Sequence, residues 1–253
     1  MIELDETSTI NEHITDLLRL ARISAIIFCI LCVFWSFFAG TLVSTWLQMI
    51  PIQTGPNNEN LAVYAPFDWI RMRWDIVIML SMVSLLPIFS IQFYRFSRHG
   101  LYAAERGWLV AVLAISTTIV PIVILAIWTI GLPAIFDLGF KLGVPGTVGI
   151  RYDARALFSL AIGLSWILVI WSVTLVALTM TRVFGLVSNG KSRFRNRIFA
   201  ISAGILILSL PVEYDGLRLL ISISVVIVAD YFSRLVQIPI SHGAHSSLND
   251  ASP

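Results

Sequence analysis

The strongest constraint on this chain is a series of long apolar stretches almost free of Asp, Glu, Lys and Arg: residues 23–43, 76–94, 108–133, 156–181, 198–211 and 217–232. A charge at the centre of a bilayer costs a few kcal/mol on insertion scales, and roughly 20 apolar residues in a helix cross the hydrocarbon layer. The stretches therefore read as six membrane-crossing helices. The last two are shorter than about 30 Å of hydrocarbon requires, so they thin the bilayer locally or lie against longer neighbours. Composition agrees: 57% of the 253 residues are hydrophobic and 13% charged, and mean hydropathy is +0.86, whereas an average soluble domain is about 25% charged. The expected fold class is all-α, a polytopic membrane protein with six transmembrane helices and an N-terminal amphipathic helix. Residues 1–240 form a single six-span domain, and residues 241–253, polar and rich in small side chains, read as a disordered tail.

Ahead of the first span, Ile10, Ile14, Leu17, Leu18 and Ala21 fall on one face of a helix, with Thr9 and Glu12 spaced as a capping box. This amphipathic helix is expected to lie along the membrane surface and run into the bilayer. On its polar side Asp16 and Arg19 are three residues apart and compensate one another. Glu3, Asp5 and Glu6 replace the basic n-region of a cleaved signal, so the first span is expected to stay in the mature chain. Residues 44–74, rich in Pro, Asn and Trp, read as an ordered loop that caps the bundle, with turns at Pro51 and at Gly55–Pro56. Pro121 is expected to kink the third span, because its ring removes a backbone donor and crowds the preceding turn. With both termini inside, 11 Lys and Arg residues lie in the inner segments and 6 in the outer ones. The positive-inside rule therefore favours cytoplasmic termini.

Several function classes are excluded at this stage. A net charge of +2, divided among short loops, supplies no concentrated basic face for nucleic acid. Cys29 and Cys32 form a C-x-x-C inside an apolar run that contains none of the four histidines, so they read as packing residues and no metal or cofactor is expected. The His-x-x-His of the tail, His242 and His245, is too weak a pattern to imply a metal. No H-E-x-x-H and no serine nucleophile with a partner histidine occurs in a span, which argues against an enzyme. A channel or small-solute carrier remains as the alternative. It would show substrate-dependent transport when purified alone, and the absence of ionisable residues from the four long spans weighs against it.

Several segments together resemble one family. "EHITDLLRLAR" at residues 12–22, "YAPFDWIRM" at 64–72, "IQFYRFSRHGLYAAER" at 91–106, "SLPVEYDGLRLL" at 209–220 and "VADYFSRL" at 228–235 are similar, in this order, to signature segments of TatC, the multispanning core receptor of the twin-arginine protein translocase. Asp16 stands where the family usually has Glu, Leu18 where it has Arg, His99 where it has Pro, and Leu210 where it has the first proline of a turn. The resemblance implies a receptor in the cytoplasmic (inner) membrane that binds the Arg-Arg motif of folded export precursors. It also implies self-association and the nucleation, with small single-span subunits of the TatA/TatB type, of a translocation complex driven by the proton-motive force. A planar guanidinium pairs with a carboxylate through two parallel hydrogen bonds. By this resemblance Glu105 and Asp16 would take the arginine pair, flanked by Arg19, Arg106 and Leu101. Ser172 and Thr174 would form an intramembrane polar site, and Pro51, Pro66, Pro121 and Pro211 would be structural. Hydroxyls in a span also commonly bond the carbonyl one turn back, which is the alternative for Ser172 and Thr174. The alternative for Glu105 is a loop ion pair with Arg106.

The charge asymmetry makes a topological prediction. Single cysteines introduced at Asn58 and Asn189 should react with an impermeant thiol reagent from opposite faces of the membrane, and labelling from one face would overturn the six-span scheme.

Overall fold

The computed structural model describes residues 2–51, 61–98, 103–143, 152–183 and 193–234. Apart from two strands of two residues each, these residues form helices and turns: α1 (Ile2–Met49), β1 (Leu61–Ala62), α2 (Pro66–Ser97), α3 (Ala103–Ala126), a π-turn (Ile127–Gly131), α4 (Leu132–Gly143), β2 (Tyr152–Asp153), α5 (Ala154–Val183), α6 (Arg193–Ser209), a single 3₁₀ turn (Val212–Tyr214) and α7 (Arg218–Arg234). Among the described residues, four stretches are long and apolar enough to cross a membrane: Leu18–Met49, Pro66–Ser97, Arg106–Gly139 and Ala154–Arg182. The chain is a multi-pass membrane protein. At 17 residues each, α6 and α7 are only about 25 Å long.

Several expectations change at the helix ends. The amphipathic segment is helical, but it is the first part of α1, which continues without interruption to Met49. The cap loop is much shorter than residues 44–74. Pro66 opens α2 at a position where a missing N–H costs nothing, and Asp68 in the first turn complements the helix dipole. Gly55–Pro56 and the tail 241–253 lie outside the described residues, whereas Pro51 sits in an exposed turn after α1. The third stretch does not end at Pro133; it runs on through a π-turn into α4. Pro121 lies within α3, and the departure from α-helical hydrogen bonding comes later, at the π-turn.

Hydrocarbon offers apolar side chains as good an environment as another helix does, so packing and interhelical hydrogen bonds must hold the bundle. α1 and α2 run antiparallel. Trp35 donates its indole N–H to Ser84 at 3.0 Å, and further down the pair the Ser24 hydroxyl donates to Gln92 at 3.4 Å. The core of the bundle is an aromatic trio from three elements, Trp46 of α1, Trp128 of the π-turn and Phe158 of α5, with ring centroids 4.9 to 5.7 Å apart. Trp128 donates to the Ser165 hydroxyl at 2.8 Å, which in turn donates to the Ala161 carbonyl.

Pro133 explains how the trio is pinned. In a regular α-helix the Trp128 carbonyl would accept from Leu132, but in the π-turn the Leu132 N–H goes to Ile127 instead. The next residue along is Pro133, which has no N–H to give. The buried carbonyl is satisfied from outside its own helix, by the indole N–H of Trp46 at 2.9 Å. The contact of α1 with the π-turn therefore carries a polar anchor in an otherwise apolar region.

At the same end of the bundle β1 pairs in parallel with β2, and Asp68 meets Arg155 at 2.6 Å. The backbone N–H of Arg155 bonds Asp153, so strand, helix start and ion pair form one cap.

Trp46→Phe should orphan the Trp128 carbonyl and cost about 1–3 kcal/mol of stability. Pro133→Ala in that background should recover part of the loss, because residue 133 then has an N–H to offer. Thermal denaturation in detergent checks both, and no recovery in the double variant would refute the account of the π-turn.

Candidate functional site

The pairing of Ser24 with Gln92 sets the level of the residues implied by the resemblance. Five residues further along each helix, about 7.5 Å, Arg19 of α1 comes level with Ser97 at the end of α2, and Asp16 lies about one turn beyond. α3 begins at Ala103, so Glu105 and Arg106 occupy its first turn at this same end of the bundle. Leu101 lies outside the described residues. One turn after Glu105, Leu109 is fully buried with Leu113 and Met180 against Phe93, Tyr94 and Val176. The start of α3 is thus fixed against the ends of α2 and α5. Arg19, Arg95, Arg98 and Arg106 are exposed here, which makes this end strongly basic.

A carboxylate that sequence reasoning passed over stands at the same end. Asp230 of α7 is 6% exposed and accepts from Arg182 of α5 at 2.8 Å and from Arg234 at 2.6 Å. Arg182 also donates to Ser233 at 3.0 Å. Charge-assisted bonds of this kind are short and strong, and here they tie the end of α7 to the end of α5. The Asp230–Arg234 spacing of four inside an apolar run was the available signal.

Ser172 and Thr174 do not form one patch. Two positions along a helix is about 200° around its axis, and their surroundings differ accordingly. Thr174 is buried and donates to the Ile170 carbonyl at 2.7 Å, the local bond expected of a hydroxyl in a span. Ser172 lines a cavity of about 170 Å³ between α2, α3 and α5, together with Ser90, Ser116 and Thr117. Thr117 donates to Ser90 at 3.0 Å, while the buried Ser116 hydroxyl has no partner among the described residues. A larger apolar cavity of about 420 Å³, lined by Trp35, Trp46, Pro121 and Trp128, lies in the opposite half of the bundle and has no chemistry to offer a charged ligand.

At that opposite end, Pro211 precedes the 3₁₀ turn between α6 and α7 with an extended backbone, and Gly216 closes the turn at φ +86°, where glycine is the favoured residue. Tyr214 folds back onto α5 and donates its hydroxyl to the Leu160 carbonyl at 2.7 Å. Its ring lies directly over Gly163, where any Cβ would overlap it. Burial first, and the neighbouring Glu213 carboxylate second, push the Tyr214 phenol up to about 12.

A family model described as TatC, Sec-independent protein translocase protein, matches residues 12–213. Two solved structures, both described as the twin-arginine translocase receptor TatC, share the fold. One is 19% identical with a TM-score of 0.61, covering 88% of this chain and 98% of that one. The other, described as being in DDM, is 20% identical with a TM-score of 0.58, covering 87% and 99%. At these identities the likeness to the solved structures is one of fold. No curated protein matches the chain.

The raised phenol of Tyr214 makes a signed prediction. Folding favours the neutral form, so the contribution of Tyr214 is fully present below the ordinary value of 10.0 and is lost as pH rises through about 12. Between these limits the wild-type chain should lose more thermal stability than Tyr214→Phe does. Parallel losses in the two proteins would show that the phenol does not titrate from its docked position.

Proposed function

This chain belongs to the TatC family of Sec-independent protein translocase proteins, and from that premise we propose that it is the signal-peptide receptor and core subunit of a twin-arginine translocase. In this reading six helices cross the cytoplasmic membrane, α6 and α7 being the short pair, and both termini are cytoplasmic. Residues 1–240 act as one membrane domain. The chain works by binding, together with small single-span subunits of the TatA/TatB type and with copies of itself, and the proton-motive force drives the assembled complex.

One observation carries the reading: the N-terminal part of α1 and the first turn of α3 belong to the same, strongly basic end of the bundle. Two carboxylates, Asp16 and Glu105, occur on those two segments. A pair of arginines approaching along the membrane surface meets two separate acceptors there, each able to take a guanidinium through two hydrogen bonds. The exposed arginines around them, Arg19 and Arg106 included, repel isolated cations and attract anionic head groups, which favours a ligand already held at the membrane. Leu101, between α2 and α3 in the sequence, is the apolar residue this reading assigns to the signal peptide. Within the membrane, Ser172 with Ser90, Ser116 and Thr117 offers hydroxyls to a polar group of a passenger or partner helix, an interaction worth about 0.6–2 kcal/mol in a bilayer.

The test is a double-mutant cycle on precursor affinity at fixed ionic strength in nanodiscs. Glu105→Gln should weaken binding about tenfold to a hundredfold, as expected for loss of a charge-assisted bond, while Asp16→Glu should be tolerated. A precursor with Lys-Lys in place of Arg-Arg should bind more weakly and be nearly insensitive to Glu105→Gln, since two changes that break one contact do not add. Ser172→Val should leave binding unchanged and lower export. Strictly additive losses in the cycle would return Glu105 to an ion pair with Arg106.

A further inference from the structure

Arg73 stands on α2 within a stretch apolar enough to cross a membrane, yet its side chain is exposed. Other cations near that end of the bundle face carboxylates: Lys141 meets Asp137, Arg155 meets Asp68 and Arg218 meets Asp215. Arg73 has no ion pair or hydrogen bond among the described residues. Its guanidinium lies instead against α1, 3.8 Å from where a Cβ on Gly40 would stand, so the absent side chain of Gly40 leaves room beside it. Here α1 and α2 form a groove of about 180 Å³ lined by Ser36, Ala39, Ile70, Arg73, Trp74 and Val77.

A guanidinium carries five donors and cannot lose its charge, so next to hydrocarbon it needs an anion. Depth narrows the choice. Arg73 is seven residues, about 10 Å, from the start of α2. Phe67 and Trp74 on the same two turns are 78% and 55% exposed, the arrangement of aromatic side chains at head-group level. Basic pockets between membrane helices hold lipid head groups by the same chemistry. The groove is too small for a partner helix, and its mixture of charge, hydroxyl and apolar wall suits a group that is anionic at one end and hydrocarbon at the other.

We propose that this groove binds the phosphate of a phospholipid from the adjacent leaflet. Arg73 holds the phosphate, Trp74 packs against the glycerol region, and the acyl chains follow Ile70 and Val77. The site is at the end of the bundle away from Asp16 and Glu105, so it is independent of signal recognition.

Native mass spectrometry of the full chain, purified in detergent and titrated with phosphatidylglycerol, tests the assignment. The wild-type chain should retain one lipid molecule, and Arg73→Gln should bind it about tenfold more weakly, as for loss of one charge-assisted contact. Arg71→Gln, on the other side of α2, should match the wild type. Gly40→Leu keeps the charge and fills the groove, so it should also weaken binding, and it decides the matter if Arg73→Gln does not fold. Diacylglycerol with the same chains should not be retained above the level of the Arg73→Gln variant. Equal affinity in Arg73→Gln, or in Gly40→Leu where that variant decides, would overturn the proposal. So would displacement of the lipid by millimolar inorganic phosphate, which would assign the groove to a free anion.

Discussion

One hydrogen bond organises the half of the bundle where α1 ends and α2 begins: the indole of Trp46 on the carbonyl of Trp128. It exists because a proline deprives that carbonyl of its own helix partner, and a buried carbonyl without a donor is costly in a medium that contains no water. A sequence that keeps Pro133 must find the donor elsewhere, and the nearest neighbouring helix supplies it. Around this bond Trp128 and Phe158 meet edge to face, Ser165 is engaged, and α1, the π-turn and α5 become one unit. The Asp68–Arg155 pair and the β1–β2 ladder close the same end.

The opposite end is built on another principle. There an ion pair, Arg182 with Asp230, joins the ends of α5 and α7, and most of the arginines point outward. Polar contacts within the membrane fix which helix neighbours which, while the basic rim stays exposed. The division follows from energetics: an internal hydrogen bond in hydrocarbon has no competing water, whereas a surface charge at the interface gains most when something outside the protein meets it.

The positions of the long spans were legible in the sequence, because hydropathy averaged over 20 residues survives almost any local detail. Their ends were not. Counting charges starts the second span at Ile76, yet the ten residues before it are helical, with Asp68 neutralised by an arginine 87 positions away. Pro133 reads as a stop, but a helix can pass a proline when a π-turn and a foreign donor absorb the missing bond. The site shows the same contrast. Glu105 and Asp16 were singled out through the motifs around them, and the backbone gives both a helical position at one end of the bundle. Asp230 was passed over because it fell inside the last apolar stretch and its interhelical partner, Arg182, is 48 residues distant. The separation of Ser172 from Thr174 was available from the helical period alone.

The hairpin of α6 and α7 is fastened to α5 at two places: Tyr214 seated on Gly163 near its turn, and Asp230 between Arg182 and Arg234 near its far end. Between these points the contact is apolar, from Ile170 with Leu206 and Val225 to Leu178 with Ala229. A pair of rods fixed at both ends against a third can bow or roll, because apolar side chains exchange neighbours at little cost. It cannot slide lengthwise without unseating the tyrosine and pulling the Asp230 carboxylate away from the Arg182 guanidinium of α5 in the same movement. Any working motion of this third of the chain is therefore sideways, opening or closing a gap along the membrane plane, and not a piston stroke through it.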